Sequence, residues 1–136
     1  MMKLKQKTTN ESAAVFTDAV GALPVGMEDT DFAALNASLM EIRKLKGVIG
    51  YVLRNNTSAV IDVAEQDKVS EYALLSYQIH DSGLEVAKQF SLGEVESLLV
   101  EGEDLKVLCM SMGENKISVF MEKSATHAWI IKRILL

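Results

Sequence analysis

Between Asp31 and Lys46 the apolar residues Phe32, Leu35, Leu39 and Ile42 recur at alternating three- and four-residue spacing. That spacing gives a helix one apolar face. Acidic residues lead the segment and Arg43, Lys44 and Lys46 close it, as the helix dipole favours. Gly47 stands where a left-handed stop is expected. From Val48 to Arg54 the period becomes two, with Val48 and Val52 on one side and Ile49, Tyr51 and Leu53 on the other. Asn55-Asn56 tolerates the positive φ of a tight hairpin, and Ser58 to Ala64 is the return strand. Asp62 within it suits an edge strand, where a charge discourages pairing with another chain.

A long helix is predicted from about Asp67 to Phe90. Val69, Tyr72, Ala73, Ser76, Ile79, Gly83, Val86, Ala87 and Phe90 make its central stripe, flanked by Leu74, Leu75, Tyr77 and Leu84. The polar stripe is Glu71, Gln78, Ser82, Glu85 and Gln89. This apolar arc is wider than one sheet face requires, so it needs a second partner. Three strands follow at Val95 to Glu101, Leu105 to Met112 and Lys116 to Met121, joined by turns at Gly102 and Gly113. Ser124 is the expected cap of a last helix, Ala125 to Leu136, with Ile130, Ile131, Ile134 and Leu135 as its buried stripe. The strands are apolar on both pleat faces, so helices must cover both. The predicted fold is α/β (α+β): a five-stranded antiparallel sheet with helices on both faces, in the order α-β-β-α-β-β-β-α. The first and last helices share one face and the long helix takes the other.

The length of 136 residues suits one domain, read as residues 31–136 behind a flexible extension, residues 1–30. Pro24, Gly26 and the acidic run from Glu28 to Asp31 mark the boundary. Lys3, Lys5 and Lys7 precede a mildly apolar stretch, Ala13 to Val25, which superficially resembles a secretory leader. Polar residues Thr8 to Ser12 separate the two, and Asp18 interrupts the second, so a tail is the expectation. The single Cys109 has no internal disulfide partner, which points to a reducing, cytoplasmic compartment. A net charge of −5 without a basic stripe argues against a nucleic-acid partner. No apolar run is long enough to span a bilayer, so no membrane partner is expected either.

Candidate chemistry is sparse. His80 shares a stripe with Ser76 and Gly83, but no carboxylate, cysteine or second histidine is spaced to assist it or His127. Cys109 lies in a central strand and reads as a small buried hydrophobe. Gly47-Val48-Ile49-Gly50 lacks the spacing of a phosphate cradle. No catalytic residue, cofactor or metal is expected, and the chain reads as non-enzymatic. Trp129 projects away from the isoleucine stripe beside Lys132 and Arg133, which would make an interface anchor. The alternative is that it folds over the first helix and is half covered.

Three stretches carry a family resemblance. Leu35 to Leu53 (LNASLMEIRKLKGVIGYVL) resembles the opening helix, Gly-Val stop and first strand of the roadblock/dynein light chain family. Val95 to Lys123 is similar to its strand meander, with the Glu101-Gly102 turn, and THAWIIKRILL to its closing helix. Two departures stand out: Asn55-Asn56-Thr57 replaces a Gly-containing turn, and Ala128 stands where glycine is common. The first implies a longer or shifted turn, and the second questions how closely the last helix approaches. The resemblance implies a profilin-like architecture and pairing of the third predicted strands and long helices across a two-fold axis. Leu74, Tyr77, Leu84, Leu98, Leu99 and Val100 are the expected interface, to a second copy or a related roadblock-type chain. It further implies a scaffold or regulator of a small Ras-like GTPase, with partner-binding surfaces at Glu71, Gln78, Ser82 and Glu85 or at Trp129 and Arg133. An arginine finger is weakly supported, because Arg43 reads as a helix-terminal charge. The rivals are a small-ligand sensor of profilin-like or PAS-like type, with a cavity lined by Ser76, His80 and Gly83, and a dynein-type cargo adaptor.

Overall fold

The computed structural model describes residues 13–17 and 27–135, with side chains from Asp31 to Leu135. In chain order its elements are β1 (Ala13–Thr17), α1 (Met27–Ile42), β2 (Val48–Arg54), β3 (Ser58–Val63), α2 (Val69–Gln89), β4 (Ser97–Glu101), β5 (Leu105–Met112), β6 (Asn115–Glu122) and α3 (His127–Leu135). The strands form one sheet in the order β1-β3-β2-β6-β5-β4, and every neighbouring pair is antiparallel.

All three helices and all five strands expected from the sequence are present. A sixth strand, β1, joins them: Ala13 to Thr17 aligns along Asp62 to Ser58 of β3. The rest of the segment before α1 lies outside the described residues. Because β1 takes that edge, Asp62 does not guard a free strand. Its carboxylate instead lies 3.5 Å from Arg43 Nε at the end of α1. Among the described residues, the free edge at the other side of the sheet is β4.

α1 and α3 cover one face of the sheet and α2 the other, as the two-sided strands require. Leu39, Ile42, Tyr51, Leu53, Leu108, Ile117, Val119, Met121, Ile130 and Ile134 fill the first layer. Val52, Ile61, Val63, Val69, Ile79, Val107, Cys109 and Phe120 fill the second. Tyr72 of α2 meets the Phe120 ring edge-on at 4.7 Å between centroids. Strict alternation puts Val48 with Val52, but a register shift between Val48 and Gly50 turns Val48 into the α1 layer and Ile49 toward α2. A bulge of this kind flips side chains that a period of two would place correctly.

Three chain reversals depart from expectation. α1 stops at Ile42, four residues early, and its last turn tightens: Lys44 N–H reaches Glu41 O and Leu45 N–H reaches Ile42 O. Gly47 then takes φ +91°, in the left-handed region expected of it. At the first hairpin no described asparagine adopts positive φ; Asn55 Oδ1 instead accepts from the N–H groups of Thr57 (2.9 Å) and Ser58 (2.8 Å). The side chain thus supplies what glycine would otherwise supply through its backbone. α3 begins at His127, so Ser124 lies ahead of its cap position, and Ala128 faces solvent without hindering the approach made by Ile130 and Ile134.

The end of α2 carries local strain. Leu92 N–H bonds Ala87 O at 2.9 Å, the six-to-one bond of a Schellman motif, with Ser91 at φ +54° in the position glycine usually fills. Ser91→Gly is expected to stabilise the fold by about 0.5–1 kcal/mol by relieving the Cβ clash. A urea midpoint that rises at unchanged slope is the check; an unchanged or lower midpoint would refute it.

Candidate functional site

Beneath α2 lies a buried polar knot. The Ser76 and Ser118 hydroxyls are 2.6 Å apart, and Ser118 Oγ is 3.3 Å from Cys109 Sγ. His80 Nε2 lies 3.2 Å from the Ile117 carbonyl oxygen and 3.2 Å from Ser118 Oγ. A carbonyl can only accept, so Nε2 carries the proton of a neutral ring. Burial, reinforced by the charge of Arg54, pushes His80 down to about 4. Burial likewise raises the Cys109 thiol, the opposite of what a nucleophile needs.

The free volume beside this knot, lined by His80, Gly83, Leu98, Cys109 and Lys116 among others, is about 10 Å³. That is room for one water, against the several hundred Å³ of a ligand pocket. Gly83 keeps the helix close: a Cβ there would sit 3.2 Å from Leu98 Cδ2. A sensor cavity at Ser76, His80 and Gly83 therefore finds no space, and the knot reads as a lock between α2 and the sheet. Among the described residues no three His, Cys, Asp or Glu side chains converge to hold a metal ion. His127 Nδ1 faces Lys106 Nζ at 3.1 Å.

The outer surfaces are richer. Hydrogen bonds from Gly102 N–H to Leu105 O and from Ser111 N–H to Glu96 O fix which groups of β4 face β5. By the period of two, the N–H and C=O groups of Ser97, Leu99 and Glu101 point away from the sheet. Val100 on this strand is 43% exposed, while Leu98 and Leu99 are half-buried. On α2, Leu74, Leu75, Tyr77, Leu84 and Val86 are exposed, followed by Phe90 and Leu92. A described stretch with this much uncovered apolar surface is unusual for a chain that stays alone.

These residues do not form one face. The Tyr77 ring sits 3.8 Å from the Arg54 guanidinium carbon at the end of β2, whereas Leu84, two turns on, lies with Val95, Glu96 and Leu98 at the start of β4. Leu75 stands about 200° around the helix from Tyr77. The structure thus brings Leu98, Leu99 and Val100 together at the edge, with Leu84 beside Leu98 around the small space at His80, and sets Tyr77 apart over Arg54, with Leu74 nearer the crest. Helical periodicity placed Val86 and Phe90 in the buried stripe; only the position of α2 over the sheet leaves them uncovered. Glu71, Gln78, Ser82 and Glu85 are exposed along the crest of α2.

All three arginines are engaged within the chain. Arg43 pairs with Asp62 and donates to Val48 O at 3.2 Å, Arg54 stacks on Tyr77, and Arg133 lies 5.2 Å from the Trp129 ring centroid. Trp129 itself is 46% exposed on α3, on the opposite side of the sheet from α2.

No family model and no curated protein matches the chain. Among solved structures it is similar to the crystal structure of a Roadblock/LC7 domain from Streptomyces avermitilis, at 14% identity and a TM-score of 0.59. The alignment covers 79% of this chain and 88% of that one. The fold is thus of the roadblock type. No helix among the described residues is long and apolar enough to cross a membrane.

Proposed function

We propose that this chain is a non-enzymatic adaptor that pairs with a second copy through β4 and binds a small Ras-like GTPase across the doubled crest of α2. The observation that carries the pairing is the free β4 edge, with Val100 exposed on it and the exposed Leu84 of α2 beside Leu98. Joining two β4 edges satisfies outward-facing backbone groups and covers apolar surface in one step. The roadblock-type fold supports an interaction role over catalysis, and the filled space at His80 disfavours the ligand-sensor reading. A cargo adaptor would use the same scaffold with another partner.

A two-fold pairing sets Glu71, Gln78, Ser82 and Glu85 of both copies on one side of the assembly, as an acidic platform. With Arg43 paired to Asp62, Arg54 held on Tyr77 and Arg133 on the opposite side of the sheet from the α2 crest, the proposed action on a GTPase is to select a switch conformation, without lending it an arginine finger. A pull-down from native lysate, with GDP or a non-hydrolysable GTP analogue, tests this. Recovery of a small GTPase in one nucleotide state is expected. Glu71→Lys with Glu85→Lys should cut that recovery roughly tenfold, as rim charges govern association, and leave the dimer and its melting temperature unchanged. Equal recovery in both states, or none, would reject the reading.

A further inference from the structure

On the face away from α2, the turn after α1 and the first turn of α3 leave a cleft of about 310 Å³. Leu45, Val48, Ala125 and Ile130 line it, with Trp129 as one wall and Lys46 at its rim. Its shape follows from small residues. Gly47 takes φ +91°, and a Cβ there would lie 3.1 Å from Ala125 Cβ, so the turn after α1 and the turn before α3 approach closely beneath the opening. The volume is at the small end of pockets that hold an apolar side chain or small ligand, and about thirty times that beside His80.

The charged residue that lines the cleft, Lys46, is basic. Lys46 is exposed, Lys132 and Arg133 follow Trp129 by three and four residues on α3, and the Arg133 guanidinium stacks on the Trp129 ring. Lys46, Lys132 and Arg133 form no ion pair with the described residues, whereas Lys44 is taken by Glu41 at 3.1 Å. Glu122 borders the corner through its N–H on Gly47 O, 2.7 Å; neither it nor Lys132 is among the lining residues, whereas Arg133 reaches the cleft through the Trp129 wall. In a chain of net charge −5 this is a local basic rim around an apolar floor. A half-exposed tryptophan held by an arginine is also the composition of an interface hot spot.

We propose that this cleft receives an acidic segment of a partner protein, with one aromatic or branched apolar side chain on the floor against Trp129 and flanking carboxylates on Lys46, Lys132 and Arg133. The site is separate from the β4 edge and the α2 crest, so it stands or falls independently of the GTPase reading.

Trp129 is the only tryptophan, so its emission reports on this cleft alone. The probe is a labelled peptide of eight residues with one phenylalanine flanked by aspartates and glutamates, titrated into the full chain and followed by Trp129 emission and by anisotropy. Saturable binding in the range of about 10–500 µM is expected, weakening as salt rises. Lys46→Glu with Arg133→Glu should reduce affinity at least about tenfold while the melting temperature holds. Trp129→Ala, read by anisotropy, should do the same. No binding at about 1 mM, or equal binding by a lysine-flanked peptide, would overturn the proposal. So would a concentration-dependent shift of Trp129 emission in the chain alone, which would mean that a second copy fills the cleft.

Discussion

Replacing Leu99 with lysine is expected to abolish pairing at β4, yielding monomer or aggregate where the unaltered chain dimerises. Leu99 sits at the centre of the free edge, its backbone groups pointing outward and its side chain half-buried over the α1 layer. In an isolated chain the lysine stem can follow the surface and keep its ammonium in water. Between two joined edges that escape closes, and an unpaired buried charge costs several kcal/mol, roughly 3 or more. That converts to at least about a hundredfold loss in dimer affinity. Glu101→Pro separates edge pairing from folding. Glu101 is exposed, and its N–H points away from β5, so proline removes a donor the monomer does not use. This variant should melt near the unaltered chain and still pair more weakly. If both variants dimerise like the unaltered chain, the edge is not the interface.

Acidification should unlock α2. His80 is 7% exposed and neutral, and burial has lowered it from the usual imidazole value of 6.5 to about 4. The unfolded chain takes up a proton near pH 6.5 that the folded chain refuses until about pH 4. Stability from this group is therefore fully present above pH 6.5 and is lost as pH falls toward 4. The loss is on the order of 3 kcal/mol across that window. His80→Gln keeps a donor for Ile117 O without a titrating ring, so its stability should be lower at pH 7 and much flatter between pH 6.5 and 4. Denaturant melts of both proteins at pH 7 and 4.5 decide this. Equal slopes with pH would place the acid sensitivity elsewhere.

Much of this architecture is legible in the residue pattern. Val48–Arg54 and Leu105–Met112 match their predicted bounds because turn residues frame them on both sides, Gly47 and Asn55-Asn56 for the first and Gly102 and Gly113 for the second. The two helical faces follow from Leu35, Leu39 and Ile42 on one side and Val69, Ser76 and Ile79 on the other. What was not legible depended on contacts distant in sequence. Ala13–Thr17 carries no strong alternation and becomes a strand through its partner, β3. Val48 faces against its period because a bulge at Ile49 shifts the register with β6. Helical periodicity groups Tyr77 with the β4 leucines because it says which residues share a flank. It does not say which strand lies under that flank; Tyr77 over Arg54 supplies that. Trp129 beside Arg133 was visible from spacing alone, whereas the cleft beneath it requires Gly47 to meet Ala125.

Pairing at β4 underlies the doubled platform and hence the partner reading, so the assembly state in solution is the most direct test. Sedimentation equilibrium across about 1–100 µM spans the range in which interfaces of this kind associate. The account predicts a mass of twice 14.9 kDa, falling to 14.9 kDa in Leu99→Lys where that variant stays soluble. A mass of 14.9 kDa for the unaltered chain at every concentration would contradict it.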